Sequence, residues 1–445
     1  MPSATLIEMK APLSLIHDPS AQEYLRDFQE EHLSELEFLL GQRPRYVHTP
    51  GALWPDVANI ERRIEAHVDA MRAGGAIALE LAREAMAGGD EAQAMAGAYV
   101  VASFKEEDGT DGLGEALSTV EETATDLLKV WEEMLVLSEH PRVAERTAPL
   151  LASPRPEVRA LAARVLGRRH EGNAQRMLPL LDDASPEVRS AAVMALARLD
   201  YRPAVTAIEN LLQYVPVSEW EPLTFAAICL GSPRALRHCR QACQAGGELP
   251  AGFPRLLAMA GEERDLPLLQ KLCSHPKLAS RAIAALGILG VPSSVPFLIE
   301  QFASTALEVR LAAGTALNLL TGANLFVTAR VREEGDEADE PGREVRFPNT
   351  DATTWADWWD GHAPRFSGSR RFRRGKPLSL GICVEELADP NSPFDVRERA
   401  AQELRIHSGQ AIGFEPDWPI RRQRVAVDRW QEWWTDHRGS RPFRR

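Results

Sequence analysis

Cysteine is scarce in this chain. Five residues (Cys229, Cys239, Cys243, Cys273 and Cys383) are spread unevenly over 445 positions, too few for a disulfide framework and in keeping with a reducing compartment. Long apolar runs are missing as well. No stretch approaches the roughly 18–20 residues that cross a bilayer, and the first residues, Met-Pro-Ser-Ala-Thr-Leu-Ile-Glu, lack the basic-then-apolar order of a secretory leader. These absences predict a cytoplasmic protein with no membrane partner. Positive charge is also in deficit, and the net charge is −13. The deficit is local: residues 1–140 hold 27 acids against 10 bases, residues 141–320 hold 16 against 20, and residues 321–445 hold 21 of each. Because nucleic-acid binders normally present a basic face, the total argues against that class, although the middle segment leaves room for a basic patch.

What the chain has is repetition. Residues 156–167 read Pro-Glu-Val-Arg-Ala-Leu-Ala-Ala-Arg-Val-Leu-Gly, residues 186–197 read Pro-Glu-Val-Arg-Ser-Ala-Ala-Val-Met-Ala-Leu-Ala, and residues 307–317 read Leu-Glu-Val-Arg-Leu-Ala-Ala-Gly-Thr-Ala-Leu. In each copy Val, Ala and Leu fall on one face of a 3.6-residue helix. An arginine precedes the closing leucine by seven positions: Arg159 and Leu166, Arg189 and Leu196, Arg310 and Leu317. Weaker copies close at Leu230, Ala260 and Leu286, so the spacing fits two short helices and two turns per unit. Units of this kind cannot bury their apolar face alone and must stack as a solenoid, an architecture that serves first as a binding surface.

Around the array the spacing predicts an acidic helical region over 1–140. Its helices are expected at Ala21–Leu40, ending at Gly41, then at about Asp56–Ala73, Ala76–Ala87 and Asp90–Phe104, with a long helix over Glu115–Leu137. The solenoid proper spans 141–322. A change to period two over 325–332 and 343–347, around an acidic tip, predicts a β-hairpin within a 323–364 insertion. A basic linker at 365–380 carries Arg371, Arg373 and Arg374, and 381–445 holds one more repeat, with Arg397 seven before Leu404. The 323–364 and 381–445 segments each also hold a tryptophan helix: Trp355, Trp358 and Trp359 in the first, Trp430, Trp433 and Trp434 in the second. The fold class is thus all-α, a solenoid with an acidic helical start and a small hairpin insertion.

The phrases Pro-Glu-Val-Arg-x-x-Ala-Ala and Asp-Val-Arg-x-Arg-Ala-Ala resemble HEAT repeats of the short bacterial kind. The run from Phe28-Gln-Glu-Glu-His32, through Glu35 to Leu40 and Leu53, to Asn59-Ile-Glu-Arg-Arg-Ile-Glu-Ala-His67-Val-Asp-Ala-Met71-Arg-Ala-Gly-Gly75 is similar to the start of an uncharacterised bacterial family of HEAT-repeat proteins. Members of that family are often encoded in type VI secretion gene clusters. The resemblance implies an accessory, adaptor or chaperone role near effector loading, with a secretion effector or its chaperone as partner, and it supplies no catalytic residue.

Chemistry is thinly represented. His238, Cys239 and Cys243, with Cys273 and His275 a repeat later, lack the two-residue gap of zinc knuckles, so neither metal nor cofactor is expected. The solenoid's lone His-Glu pair, His170-Glu171, cannot assemble an octahedral iron site. Arg159, Arg189, Arg310 and Arg397 either line a phosphate groove or pack between repeats; the structural job is the expectation. Trp355, Trp358, Trp359, Trp430, Trp433 and Trp434 form broad aromatic faces that cap the array or anchor a partner, with capping expected. Arg371, Arg373 and Arg374 pair with an acidic partner or with the acidic region of the same chain. The sequence therefore predicts a non-enzymatic protein-binding scaffold, with a HEAT-like nucleic-acid glycosylase or lyase as the alternative. Specific DNA or RNA binding is not expected at physiological salt, and an electrophoretic shift assay should show only weak retardation that a few-fold rise in salt removes.

Overall fold

Residues 19–49, 53–88, 90–105, 109–331, 343–367 and 371–437 are described by the computed structural model. The acidic hairpin tip at 333–342, the end of the tail at 438–445 and the centre of the basic linker at 368–370 lie outside them. Two compact units share the chain. One takes the described residues up to Ala195 with Asp389–Arg397 and Phe414–Ala426; the other takes Leu196–Ala388, Glu398–Gly413 and the described residues from Val427 onward.

In the first unit the apolar spacing yields four packed helices, α1 (Pro19–His48), α2 (Trp54–Ala73), α3 (Gly75–Gly88) and α4 (Glu91–Ser103). Leu36, Leu39, Leu40 and Val47 of α1 are buried, as are Ile60, Ile64 and Met71 of α2. Asp90 closes α4 with a capping box, accepting from the Ala92 and Gln93 amides while the Gln93 side chain accepts from its own amide. Two expectations fail here. α1 continues past Gly41 and through Pro44, because Arg43 and Val47 prolong the buried stripe and burial outweighs the local breakers. The expected helix over 115–137 is interrupted between α5 (Gly112–Ser118) and α6 (Leu128–Leu137). Carbonyls released at the break are taken by Arg155, whose Nη1 donates to Glu121 O at 2.7 Å and Thr123 O at 2.8 Å.

The repeated arginine has one job in three of its four copies. Arg159 Nη1 donates to Ser153 O and Pro154 O, Arg189 Nη1 to Asp183 O and Ala184 O, and Arg310 Nη1 to Ser304 O and Thr305 O, all at 2.8–3.1 Å. Each side chain reaches back to the carbonyls six and five residues earlier and ties the preceding turn to its own helix. Arg159 also grips Asp183 with two bonds of 2.8 and 2.9 Å. Arg397 differs, donating to Asp389 O at 3.0 Å and lying 4.2 Å over the Trp54 ring.

Glycine sets the spacing between repeats. A Cβ at Gly167, in helix Pro156–Arg168, would fall 2.7 Å from the Cα of Ala195; at Gly287, in helix Ala279–Leu289, it would fall 2.5 Å from the Cα of Ala316. Both glycines follow a closing leucine and both alanines precede the next one, so the two contacts are one lock used twice. In the second unit helix Phe253–Ala260 packs on Ala279–Leu289, which packs on Leu307–Thr321. Asn318 then holds the hairpin base, accepting from the Leu325 amide at 2.8 Å and donating to its carbonyl at 2.9 Å. The hairpin is present: β1 (Phe326–Val331) pairs antiparallel with β2 (Arg343–Pro348), Phe326 opposite Pro348. A second pair inside the basic linker, β3 (Phe372–Arg373) with β4 (Lys376–Pro377), was not anticipated. The chain is thus mostly helical with two small strand pairs, not all-α in the strict sense. Gly287→Val should lower stability by about 1–3 kcal/mol through overpacking, seen as a lower urea midpoint. Gly361→Ala, with open space around its Cβ, should leave the midpoint unchanged or raise it slightly.

Candidate functional site

The basic linker does not run free. Its second half crosses the C-terminal ends of three helices of the second unit. Arg371 donates to Leu289 O at 2.7 Å, Ala258 O at 3.0 Å and Gly261 O at 3.1 Å, satisfying carbonyls that a helix end leaves without partners. The Phe372 amide bonds Gly290 O at 2.6 Å, the Arg374 amide bonds Leu319 O at 2.6 Å, and the Gly375 amide bonds Leu320 O at 3.0 Å.

Arg373 turns inward and is fully buried. It donates to both oxygens of Glu403 at 2.8 and 2.9 Å and to Glu386 at 3.2 Å, while Arg399 holds the other Glu386 oxygen at 2.9 Å. Burial opposes ionisation of Glu403, yet Arg373, with Arg399 and Arg371, holds its carboxyl down at about 2. Cys383 adjoins the cluster, and burial pushes its thiol well up. Ligand atoms of Cys383, Glu386 and Glu403 lie within 4.8 Å of one another. The two guanidinium groups already supply the positive charge a cation would bring, so the arrangement is an ion-pair core. Sequence reasoning placed Arg371, Arg373 and Arg374 in a partner surface; the structure commits Arg371 and Arg373 to the interior, and only Arg374 keeps substantial exposure, 3.4 Å from Glu386. Their acids come from the same unit, not from the acidic N-terminal region. Glu386, Glu403 and Arg399 were missed. The available signal was Glu403 itself, which stands directly before Leu404, where other repeats carry the buried Val165, Ala195 and Ala316.

The two tryptophan helices repeat one arrangement. In Ala352–His362, Trp355 is fully buried and donates to Asn349 O at 2.8 Å, and Trp358 stacks on His362 with centroids 4.2 Å apart. In Ile420–His437, Trp430 is 1% exposed and Trp433 stacks on His437 at 5.1 Å. In both, the histidine Nδ1 donates to the tryptophan carbonyl at 2.7 Å. Trp359 meets Phe366, and the Trp434 ring lies where a Cβ on Gly381 would stand 2.5 Å from it. Trp355, Trp430 and Trp433 are therefore core residues, whereas Trp358, Trp359 and Trp434 are half-buried.

In the first unit the segment Phe414–Ala426 lies against the end of helix Pro156–Arg168. Trp418 Nε1 donates to Arg168 O at 2.6 Å, Arg422 donates to Arg169 O, Arg168 pairs with Asp417 at 2.5 Å, and His170 meets Glu415 at 2.8 Å. Arg169 in turn caps α6 through Leu135 O at 2.9 Å and Ser138 O at 2.7 Å. A cavity of about 320 Å³ opens nearby, between α2, α4 and the turn after α6. Its charges pair off in part, Arg43 with Glu61 at 2.7 Å and Arg421 with Glu139 at 3.5 Å. Burial pushes the Tyr99 phenol in its wall up to about 12, so that group stays neutral.

Residues 144–228 match the family model of HEAT repeats. The match takes in the first two clear copies of the repeated phrase, those of Arg159 and Arg189. No curated protein matches the chain. Among solved structures, a crystal structure of an engineered protein is 18% identical over 54% of this chain and 95% of that one; its TM-score of 0.20 carries no argument about this fold. No helix among the described residues is long and apolar enough to cross a membrane.

Arg373→Met should cost about 3–5 kcal/mol, because it leaves two buried carboxylates without their main counter-charge. A folded-state carboxyl held at about 2 against an ordinary 4.5 contributes stability that is complete above 4.5 and is withdrawn as pH falls toward 2. Urea midpoints measured from pH 5 to pH 2 should therefore fall less steeply in Glu403→Gln than in the wild type.

Proposed function

We propose that this protein is a non-catalytic protein-binding scaffold. The observation that carries the reading is the HEAT-repeat match over 144–228, since stacked repeats of this class commonly mediate protein binding. The disposition of the reactive side chains supports it. Buried Glu386 and Glu403 of the second unit are neutralised by arginine, the adjoining Cys383 has a thiol raised well above the ordinary value, and Arg159 and Arg189 are spent on backbone carbonyls. Half-buried Trp358, Trp359 and Trp434 and the exposed part of Arg374 remain as candidate contacts.

In its finer form the proposal is a cytoplasmic adaptor or co-chaperone. The resemblance of residues 28–75 supports placing it beside type VI secretion effector loading, with an effector or its chaperone as partner. In-cell cross-linking of the tagged chain followed by mass spectrometry should recover one protein reproducibly, and purified components should then reconstitute the complex. Recovery of nucleic acid in place of protein, resistant to raised salt, would overturn the scaffold reading.

A further inference from the structure

α1 has two faces with different fates. At about 100° per residue, its buried residues Leu36, Leu39, Leu40, Arg43 and Val47 make one stripe. Tyr24, Phe28, Phe38 and Tyr46 fall within about 80° of one another on a second stripe, roughly a third of a turn away. Among the described residues none of the four is enclosed: they are 69%, 43%, 58% and 45% exposed, Phe28 meeting the His32 ring edge-on at 4.6 Å. They extend over about 33 Å of helix. Four large aromatics aligned on one solvent face exceed the scattered apolar residues that any surface carries, and such patches mark interaction sites.

Charge decides the occupant. Asp27, Glu31 and Glu35 are exposed on the same face, between the aromatics, and Arg45 stands at its far end. Glu35 has one partner, the equally exposed Arg63 at 3.2 Å. Rings interspersed with carboxylates from Tyr24 to Phe38 suit a segment that combines apolar side chains with Lys or Arg: the apolar groups lie on the rings, and the cations meet the carboxylates and the ring faces. A second copy suits it poorly. Parallel pairing sets each acid against itself, and the antiparallel pairing that centres the stripe sets Glu35 against Glu35.

We propose that the Tyr24–Tyr46 face of α1 docks a basic amphipathic helix of a partner protein, with its base-rich end over Asp27 to Glu35. The proposal rests on the scaffold reading and names its partner class. The test uses the full-length chain and a fluorescein-labelled 21-residue peptide, three copies of Leu-Lys-Lys-Leu-Leu-Lys-Leu, beside a twin with Glu for every Lys. Anisotropy titration should show saturable binding of the lysine peptide and none of its twin. Tyr24→Ser with Phe38→Ser, and separately Asp27→Lys with Glu31→Lys, should each weaken binding at least tenfold without moving the melting temperature, because Tyr24 and Phe38 are more than half exposed and Asp27 and Glu31 are exposed. Equal binding by the wild type and both double variants would overturn the proposal. So would a concentration-dependent dimer that Phe38→Ser abolishes, which would make a second copy the occupant. A cross-linked protein partner still captured by both variants would overturn the α1 site and leave the scaffold reading standing.

Discussion

In the second unit, the buried guanidinium of Arg373 connects three pieces of chain distant in sequence. It binds Glu386 and Glu403 and also donates to Ile288 O at 3.2 Å. Two carboxylates inside a protein are tolerable only when cations of matching geometry lie beside them, and the planar fork of arginine provides that match for Glu403. Once Arg373 is fixed, its neighbours have little freedom. Phe372 and Arg374 must run along the ends of Ala279–Leu289 and Leu307–Thr321, and Arg371 must reach the end of Phe253–Ala260.

The wider constraint is the open end of a short helix. Repeats built from helices of 6–15 residues end often, and every end exposes carbonyls that need donors when buried. The chain solves this with the same side chain in several settings. Repeat arginines serve the turn before their own helix, Arg155 serves the break between α5 and α6, Arg169 serves the end of α6, and Arg371 serves two ends together. Trp418 does comparable work with its indole N–H at the end of Pro156–Arg168. Bases outnumber acids in the middle segment of the sequence, and much of that excess is directed inward at backbone oxygen.

This use of charge bears on function. A basic patch in a repeat protein invites a nucleic-acid reading, yet arginines occupied with carbonyls and buried carboxylates offer little to a phosphate backbone. The acidic surplus of the N-terminal region lies partly on an exposed helix face, among aromatics that the helix's own neighbours leave uncovered.

The sequence by itself determined the repeating helices, the position of the recurring arginine in each and the presence of the hairpin, because period and turn chemistry are local. The bounds of α2, α3 and α4 were legible to within two residues for the same reason. Tertiary structure decided what depends on distant partners. Gly41 and Pro44 stay within α1 because burial of Arg43 and Val47 outweighs local propensity, and 115–137 can break because Arg155 donates to the carbonyls that the break releases. Arg373 reads as a surface base in its basic run, and only Glu386 and Glu403, 13 and 30 residues onward, draw it inside. Which tryptophans became core followed likewise from packing, since Trp355, Trp358 and Trp359 share one helical face in sequence and only Trp355 is fully enclosed.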